Sequence, residues 1–141
     1  MGRISLEQVA PGLFTAMNNL KDFIIEGEPA LNYYLMIDIR TSILNGCEFC
    51  TRMHTNSAIT KGMSENKIAA LRDWTNSGEF DVIEQAVLRF TDEVALIHQH
   101  GVSDEVYNEL RKHFSESGIV RLLAQAVLIN GWNRIVLTNR T

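Results

Sequence analysis

Both cysteines of the chain lie in one short segment, Cys-Glu-Phe-Cys-Thr-Arg-Met-His, which contains Cys47, Cys50 and His54. If this segment begins a helix, residues at i, i+3 and i+7 lie on one face, so two sulfurs and an imidazole share a small patch. Cα atoms three residues apart on a helix lie about 5 Å from each other, within the range that a disulfide accepts. The spacing therefore favours a redox-active dithiol.

The residues before Cys47 strengthen this interpretation. Asn45 and Gly46 predict a turn, which places both cysteines in the first turn of the helix that follows. At a helix N-terminus, unpaired N–H groups and the positive end of the dipole favour a thiolate over a thiol. The position therefore suits a cysteine nucleophile.

Two other interpretations of the segment stay open. Free cysteine is among the most buried residue types, so Cys47 and Cys50 could be small core residues. They could also bind a metal together with His54, although zinc usually takes four ligands or keeps one position for water. The remaining histidines lie far downstream, without a second cysteine pair to complete such a site.

The composition excludes several function classes. A chain of 141 residues, 45% hydrophobic and 21% charged, predicts a single globular domain over residues 1–141. The net charge of −4 argues against nucleic-acid binding, which needs a basic surface. No apolar run approaches the roughly 18 residues of a membrane span, and the N-terminal residues predict no secretory signal. We therefore expect a cytoplasmic protein, in which a close cysteine pair is more often catalytic than structural.

Breaker residues divide the chain into about six or seven helices, with no strand-like alternation of useful length. The predicted helices cover about residues 11–27, 29–44, 47–61, 64–71, 81–100, 103–114 and 115–138. Pro29 is expected at the first position of its helix, and residues 75–78 are expected to form a loop. The sequence therefore predicts an all-α bundle.

The last predicted helix is apolar on more than one side. A helix with this pattern is buried nearly all round. It is either the central helix of the bundle or part of a subunit interface, and the surplus of apolar residues elsewhere favours an oligomer.

The segment around the cysteines resembles the core of the alkylhydroperoxidase D / carboxymuconolactone decarboxylase family. The chain reads Arg40-Thr-Ser-Ile-Leu-Asn-Gly-Cys-Glu-Phe-Cys-Thr-Arg-Met-His-Thr, and the family pattern is Arg-x-Ser-x-x-Asn-Gly-Cys-x-x-Cys-x-x-x-His. Two later segments, His100-Gly-Val-Ser-Asp-Glu and Ile129-Asn-Gly-Trp-Asn-Arg, are also similar to helices of that family. The resemblance covers about residues 11–138.

The resemblance implies an AhpD-like helical bundle that assembles into homotrimers or trimer-based hexamers and uses no cofactor. It implies that Cys50 attacks the terminal oxygen of a hydroperoxide and becomes a sulfenic acid, which Cys47 converts to a disulfide. His54 would pass the proton, and an external dithiol would reduce the disulfide. The expected partners are therefore a peroxide or disulfide substrate and a dithiol reductant.

The chain departs from the family at the proton relay. Family peroxidases commonly carry a glutamate twelve residues before the first cysteine, where this chain has Leu35, which cannot accept a proton. Asp38 lies three residues further on nearly the same face and is a candidate substitute, unless it pairs with Arg40 or a neighbouring chain. Glu48 is a second candidate, and Phe49 stands where family peroxidases can carry a histidine.

We therefore expect a thiol-dependent oxidoreductase of the alkylhydroperoxidase type, with Cys50, Cys47, His54 and Asp38 as its catalytic residues. One alternative is a redox-sensing or interaction protein whose dithiol switches an assembly and whose proton relay is degraded. Another is an enzyme of the lactone decarboxylase branch, although that chemistry does not need a cysteine pair. The absence of a βαβ pattern disfavours a thioredoxin fold.

Overall fold

The computed structural model describes residues 2–139, and within that range it contains helices and no strand. The α-helices are α1 (Leu6–Val9), α2 (Pro11–Ile25), α3 (Leu31–Leu44), α4 (Glu48–Thr60), α5 (Glu65–Ala70), α6 (Val82–Ala95), α7 (Ile97–His100), α8 (Asp104–Arg111) and α9 (Glu116–Asn139). A 3₁₀ segment, Leu71–Asn76, follows α5. None of the helices in the described range is long and apolar enough to cross a membrane. The all-α prediction is confirmed.

Helix α3 lies at the centre of the bundle and packs against α4, α6 and α9. Its six residues from Tyr34 to Ile39 are all buried. A helix without an exposed face in this stretch suits a central position. One of these six residues is Asp38, so the central helix buries a carboxyl group among apolar neighbours.

Side-chain caps begin three helices where the sequence predicted a helix start. The hydroxyl groups of Ser64 and Ser103 each accept a hydrogen bond from the backbone N–H three residues later. Asp81 and Glu84 form a reciprocal capping box at the start of α6. These bonds satisfy N–H groups that the first helical turn leaves without a partner.

The predicted helix over residues 81–100 is wrong near its C-terminal end. Helix α6 ends at Ala95, and Leu96 adopts φ −100° and ψ 37° before the short helix α7. The backbone N–H and the hydroxyl group of Ser103 both donate to the carboxylate of Glu93, which holds the returning chain against α6. Gly101, at φ 74°, ends α7 as predicted.

The predicted position of Pro29 is also wrong. Ala30 has an extended backbone and is the N-cap residue of α3, so the helix begins at Leu31 and Pro29 lies outside it. The Glu28–Pro29 peptide bond is cis. Two short elements were not predicted: helix α1, and the 3₁₀ segment, which takes in the first half of the predicted loop over residues 75–78.

Helix α9 is not buried on all sides in the single chain. Val120, Leu123 and Val127 lie on one face at i, i+3 and i+7, and they are 51%, 42% and 54% exposed. The rest of the helix packs mainly against α2 and α3. The central helix of the bundle is therefore α3, and α9 leaves this apolar face exposed in the single chain.

Candidate active site

Cys47 and Cys50 lie at the N-terminus of α4, as the sequence predicted. Cys47 is the N-cap residue and Cys50 belongs to the first helical turn. Their sulfurs are joined in a disulfide with an S–S distance of 2.04 Å, and their Cα atoms lie 5.2 Å apart. Gly46, at φ 70°, supplies the turn between α3 and α4 in a conformation that glycine adopts without a steric penalty.

The sulfur of Cys47 caps helix α4. The backbone N–H of Cys50 donates a hydrogen bond to Cys47 Sγ over 3.3 Å, in the place that a side-chain oxygen takes at other helix starts. Cys47 and Cys50 are only 1% and 2% exposed. A reagent must therefore reach the sulfurs through a narrow path or a local opening.

Helix α9 holds the turn that precedes Cys47. The side-chain amide of Asn45 donates to the Oδ1 atoms of Asn130 and Asn133, over 2.9 and 3.0 Å. The Asn133 amide donates to the hydroxyl group of Ser42, whose backbone carbonyl accepts from the N–H of Cys47. The amide-rich segment of α9 therefore fixes the turn that presents the cysteine pair.

His54 contacts Asp38 across the α3–α4 interface. It lies one turn after Cys50, on the same face of α4, and its Nδ1 atom is 3.5 Å from Oδ2 of Asp38. Arg40 instead forms a bidentate pair with Asp92, at 2.7 and 3.2 Å. The alternative in which Asp38 pairs with Arg40 is therefore wrong.

Two residues that the sequence did not single out extend this contact. The side-chain amide of Gln125 on α9 donates a hydrogen bond to Oδ1 of Asp38. The Oε1 atom of Gln125 accepts from the ammonium group of Lys21 on α2, over 2.8 Å. Neither residue stands near the cysteine motif in sequence, and only the packing of α2, α3 and α9 brings them together. We call Lys21, Gln125, Asp38 and His54 the polar row.

Burial shifts the pKa values of the two titratable groups that meet at the end of the polar row. It raises the pKa of Asp38 from 3.8 to about 7, against the opposing effects of the Gln125 hydrogen bond and of the charges of Lys21 and Lys61. Burial lowers the pKa of His54 from 6.5 to about 4, and both lysines act in the same direction. Between about pH 4 and 7 the pair is therefore a carboxylic acid beside a neutral imidazole rather than an ion pair.

The other candidates for the relay lie away from this contact. Leu35 is buried one turn before Asp38 and offers no proton acceptor. Glu48 and Phe49 are exposed on α4. The structure thus brings Asp38 to His54 and leaves Glu48 at the surface.

The cysteine pair is present as a disulfide, with the imidazole of His54 one helical turn away. In residues 2–139 no group of three or more histidine, cysteine, aspartate or glutamate side chains is arranged to hold a metal ion. Near the dithiol stands an imidazole that is neutral and can accept a proton.

Comparison with known proteins agrees with this geometry. Residues 11–93 match the carboxymuconolactone decarboxylase family. The uncharacterized protein YdfG of Bacillus subtilis is 32% identical over 133 residues, which cover 94% of this chain and 90% of that protein.

Two crystal structures share the fold. One, from Agrobacterium tumefaciens, is of a protein of unknown function described as a candidate AhpD antioxidant defence protein. It is 32% identical, with a TM-score of 0.92 over 97% of this chain and 94% of the other. The second is an uncharacterized peroxidase-related protein with an alkylhydroperoxidase AhpD core from Ralstonia eutropha. It is 19% identical, with a TM-score of 0.82 over 96% of this chain and 72% of the other. The chain belongs to the carboxymuconolactone decarboxylase family and has an AhpD-like fold.

Proposed function

We propose that this protein is a thiol-dependent oxidoreductase that reduces a peroxide or a disulfide with Cys47 and Cys50. The observation that supports the proposal is a cysteine pair at a helix N-terminus, one turn before His54. The Nδ1 atom of His54 in turn faces the buried carboxyl group of Asp38. A helix N-terminus favours the reactive thiolate, and a neutral imidazole can accept the proton that the thiol loses. The family and the AhpD-like relatives support a redox function at a coarser level.

The proposed cycle begins with the thiolate of Cys50. Its sulfur forms a bond to the terminal oxygen of a hydroperoxide, the O–O bond breaks, and the alkoxide takes up a proton to leave as an alcohol. Cys50 becomes a sulfenic acid. The thiol of Cys47 then displaces water from it, and an external dithiol restores the two thiols by thiol–disulfide exchange while it is itself oxidised.

With a disulfide substrate, the same two cysteines would act by exchange alone. The thiolate of Cys50 would attack one substrate sulfur and form a mixed disulfide, and Cys47 would then release the second substrate thiol. Both routes end in the Cys47–Cys50 disulfide that the structure contains. A cytosolic location and a homotrimeric or hexameric assembly are part of the proposal.

Thiol titration tests the proposal directly. Reduced, metal-free protein should lose two thiols per chain on addition of one equivalent of an alkyl hydroperoxide, and a dithiol reductant should restore them. Cys47→Ser should lose one thiol and stop at a sulfenic acid, whereas Cys50→Ser should keep its thiol. Wild-type protein that retains both thiols would contradict the proposal, and stoichiometric zinc in the purified protein would favour a metal site instead.

A redox-sensing function is the second candidate, favoured by Leu35 at the position of the family glutamate. A sensor would lose two thiols once, without sustained consumption of excess peroxide in the presence of a dithiol. Peroxide consumption over many cycles would support the enzyme, and a single cycle would support the sensor.

A further inference from the structure

The polar row fixes the direction of each hydrogen bond that it contains. The ammonium group of Lys21 has only donors, so it can contact Gln125 only through Oε1. The amide nitrogen of Gln125 is therefore turned towards Asp38, where it donates to Oδ1. Since Oδ1 accepts this hydrogen bond, the proton of the neutral carboxyl group belongs on the other oxygen, Oδ2, which faces Nδ1 of His54.

We propose that Gln125, oriented by Lys21, is a positioning residue that confines the exchangeable proton to Oδ2 of Asp38 and Nδ1 of His54, and thereby sets the imidazole tautomer. With the proton on Oδ2, Nδ1 of His54 accepts and the ring hydrogen stands on Nε2. With Asp38 ionised, Nδ1 carries the hydrogen and Nε2 is free to act as a base. The ionisation of Asp38 thus decides whether the nitrogen available to the thiols is a donor or an acceptor.

A proton can then move from a cysteine thiol through His54 to Asp38. When Asp38 is ionised, Nε2 takes the proton of a cysteine thiol and Nδ1 passes its own hydrogen to Oδ2, so that a thiolate, a neutral imidazole and a carboxylic acid result. The thiol, the imidazole and the carboxyl group together gain and lose no proton in this step. The same sequence in reverse returns a proton to the leaving alkoxide.

The charged groups around Asp38 act on the same equilibrium. Lys21 on α2 and Lys61 after α4 both favour the ionised carboxyl group, as does the Gln125 amide, while burial opposes it. Burial lowers the pKa of Lys21 below its usual value, and the charge of Asp38 partly opposes this shift. Removal of Gln125 or Lys21 should therefore move the ionisation of Asp38 to higher pH.

The inference rests on the proposed function only for its effect on the thiols, and a spectroscopic test examines it separately. Nitrogen-15 chemical shifts distinguish a ring nitrogen that carries hydrogen from one that does not. The His54→Gln variant identifies the signals of His54 among the four histidines. In wild-type protein we expect His54 to change from the Nε2–H to the Nδ1–H tautomer as the pH rises through about 7.

Substitutions in the polar row should move this midpoint. Gln125→Met keeps the length of the side chain but removes the amide, and Lys21→Met removes the charge and the donor. Each should raise the midpoint of the tautomer change by about one pH unit, the size of effect that loss of one favourable neighbour has. Lys21→Arg keeps the charge and the donor and should leave the midpoint near its wild-type value.

Gln85→Met is the matched control, because Gln85 is a half-buried amide that donates to the carbonyl of Phe80 outside the polar row. It should not change the midpoint. A wild-type tautomer that does not vary with pH, or a midpoint equal in wild type, Gln125→Met and Lys21→Met, would overturn the inference. The expected shifts in a protein that consumes no peroxide would support it while contradicting the proposed function.

Discussion

His54 Nδ1 lies 3.5 Å from Oδ2 of Asp38, and folding changes which of these two residues holds a proton. In the unfolded chain between about pH 4 and 6.5, the imidazole is protonated and the carboxyl group is ionised. In the folded chain, where the pKa of Asp38 is about 7 and that of His54 about 4, the carboxyl group holds the proton and the imidazole is neutral. The two residues together therefore hold one proton in the unfolded chain and one in the folded chain.

The first prediction follows from this equality. Stability changes with pH only when the folded and unfolded states bind different numbers of protons, so the pair as a whole should contribute no slope between about pH 4 and 6.5. The raised pKa of Asp38 alone makes stability fall as the pH rises through this range. The lowered pKa of His54 alone makes it rise, and the two effects cancel.

Single substitutions should expose the two opposite slopes. Relative to wild type, Asp38→Asn should gain stability with rising pH between about 4 and 6.5, by about 1.4 kcal/mol per pH unit. Relative to wild type, His54→Gln should lose stability at a similar rate over the same range, about pH 4 to 6.5. Urea unfolding at a series of pH values measures both. Parallel curves for wild type and both variants would show that the pair is not shifted as described.

The order of reaction of the cysteines is the second prediction. Each cysteine has one advantage: the sulfur of Cys47 accepts the N–H of Cys50, whereas Cys50 lies one turn from His54. We predict that Cys50 has the lower thiol pKa and reacts first. Burial keeps His54 neutral near pH 7, so it would assist by passing the thiol proton on to the ionised carboxyl group of Asp38.

His54→Ala should therefore slow alkylation of Cys50 about tenfold near neutral pH, the effect of one pKa unit on a small thiolate fraction. His98→Ala, in an exposed histidine, is the control. Peptide mapping after brief treatment with iodoacetamide identifies the cysteine that is labelled first. Labelling of Cys47 first, at a rate independent of His54, would reverse the assigned roles.

The third prediction concerns the relay. We expect the native protein to reduce hydroperoxides slowly, compared with a protein that has a glutamate in place of Leu35. General-base assistance is worth about a hundredfold to ten-thousandfold, so a defective relay should appear as slow turnover. Leu35→Glu should raise the rate, and Asp38→Asn should lower it if Asp38 has taken the role. Stopped-flow consumption of an alkyl hydroperoxide measures each rate.

Glu48→Gln is the matched control for Asp38→Asn, because Glu48 is an exposed carboxyl group close to the cysteines. A buried glutamate at position 35 costs stability, so thermal unfolding of Leu35→Glu must accompany the rate measurement. Fast native turnover that neither Asp38→Asn nor Glu48→Gln changes would mean that this protein uses no carboxylate relay.

The fourth prediction is a trimer or a multiple of three. The exposed face of α9 formed by Val120, Leu123 and Val127 is the surface most suited to contact another copy. Sedimentation equilibrium should give a mass of three chains or more at micromolar concentration, and Leu123→Lys should weaken the assembly. Thr15→Lys, at an exposed position of α2, is the control. A stable wild-type monomer at that concentration would contradict the prediction.

Local sequence signals predicted most of the fold, because each acts within a few residues. Ser64, Asp81 and Ser103 are caps whose partners lie three residues away, and Gly62 and Gly101 end helices through their positive φ. The break at Leu96 was missed, and the hydrogen bonds that hold the chain after it join Ser103 to Glu93, ten residues away in sequence.

The candidate site divides along the same line. Cys47, Cys50 and His54 belong to one helix start, and their spacing alone placed them together. Asp38 required the packing of α3 against α4 to become a partner of His54 rather than of Arg40. The amide and the ammonium group of the polar row come from α9 and α2, so no spacing in the sequence pointed to them.

Because the sulfur of Cys47 caps α4, the stability of the first turn of this helix should depend on the oxidation state of the cysteine pair. In the disulfide, the sulfur that accepts the Cys50 N–H is also bonded covalently to Cys50, whereas in the reduced chain, where Cys50 carries the thiolate, a separate Cys47 thiol sulfur is only a weak acceptor. Fraying of the first turn should then be rarer after oxidation and more frequent in the reduced chain. Exchange of the Cys50 amide hydrogen with deuterated water reports this difference, so the backbone itself records the oxidation state of the protein.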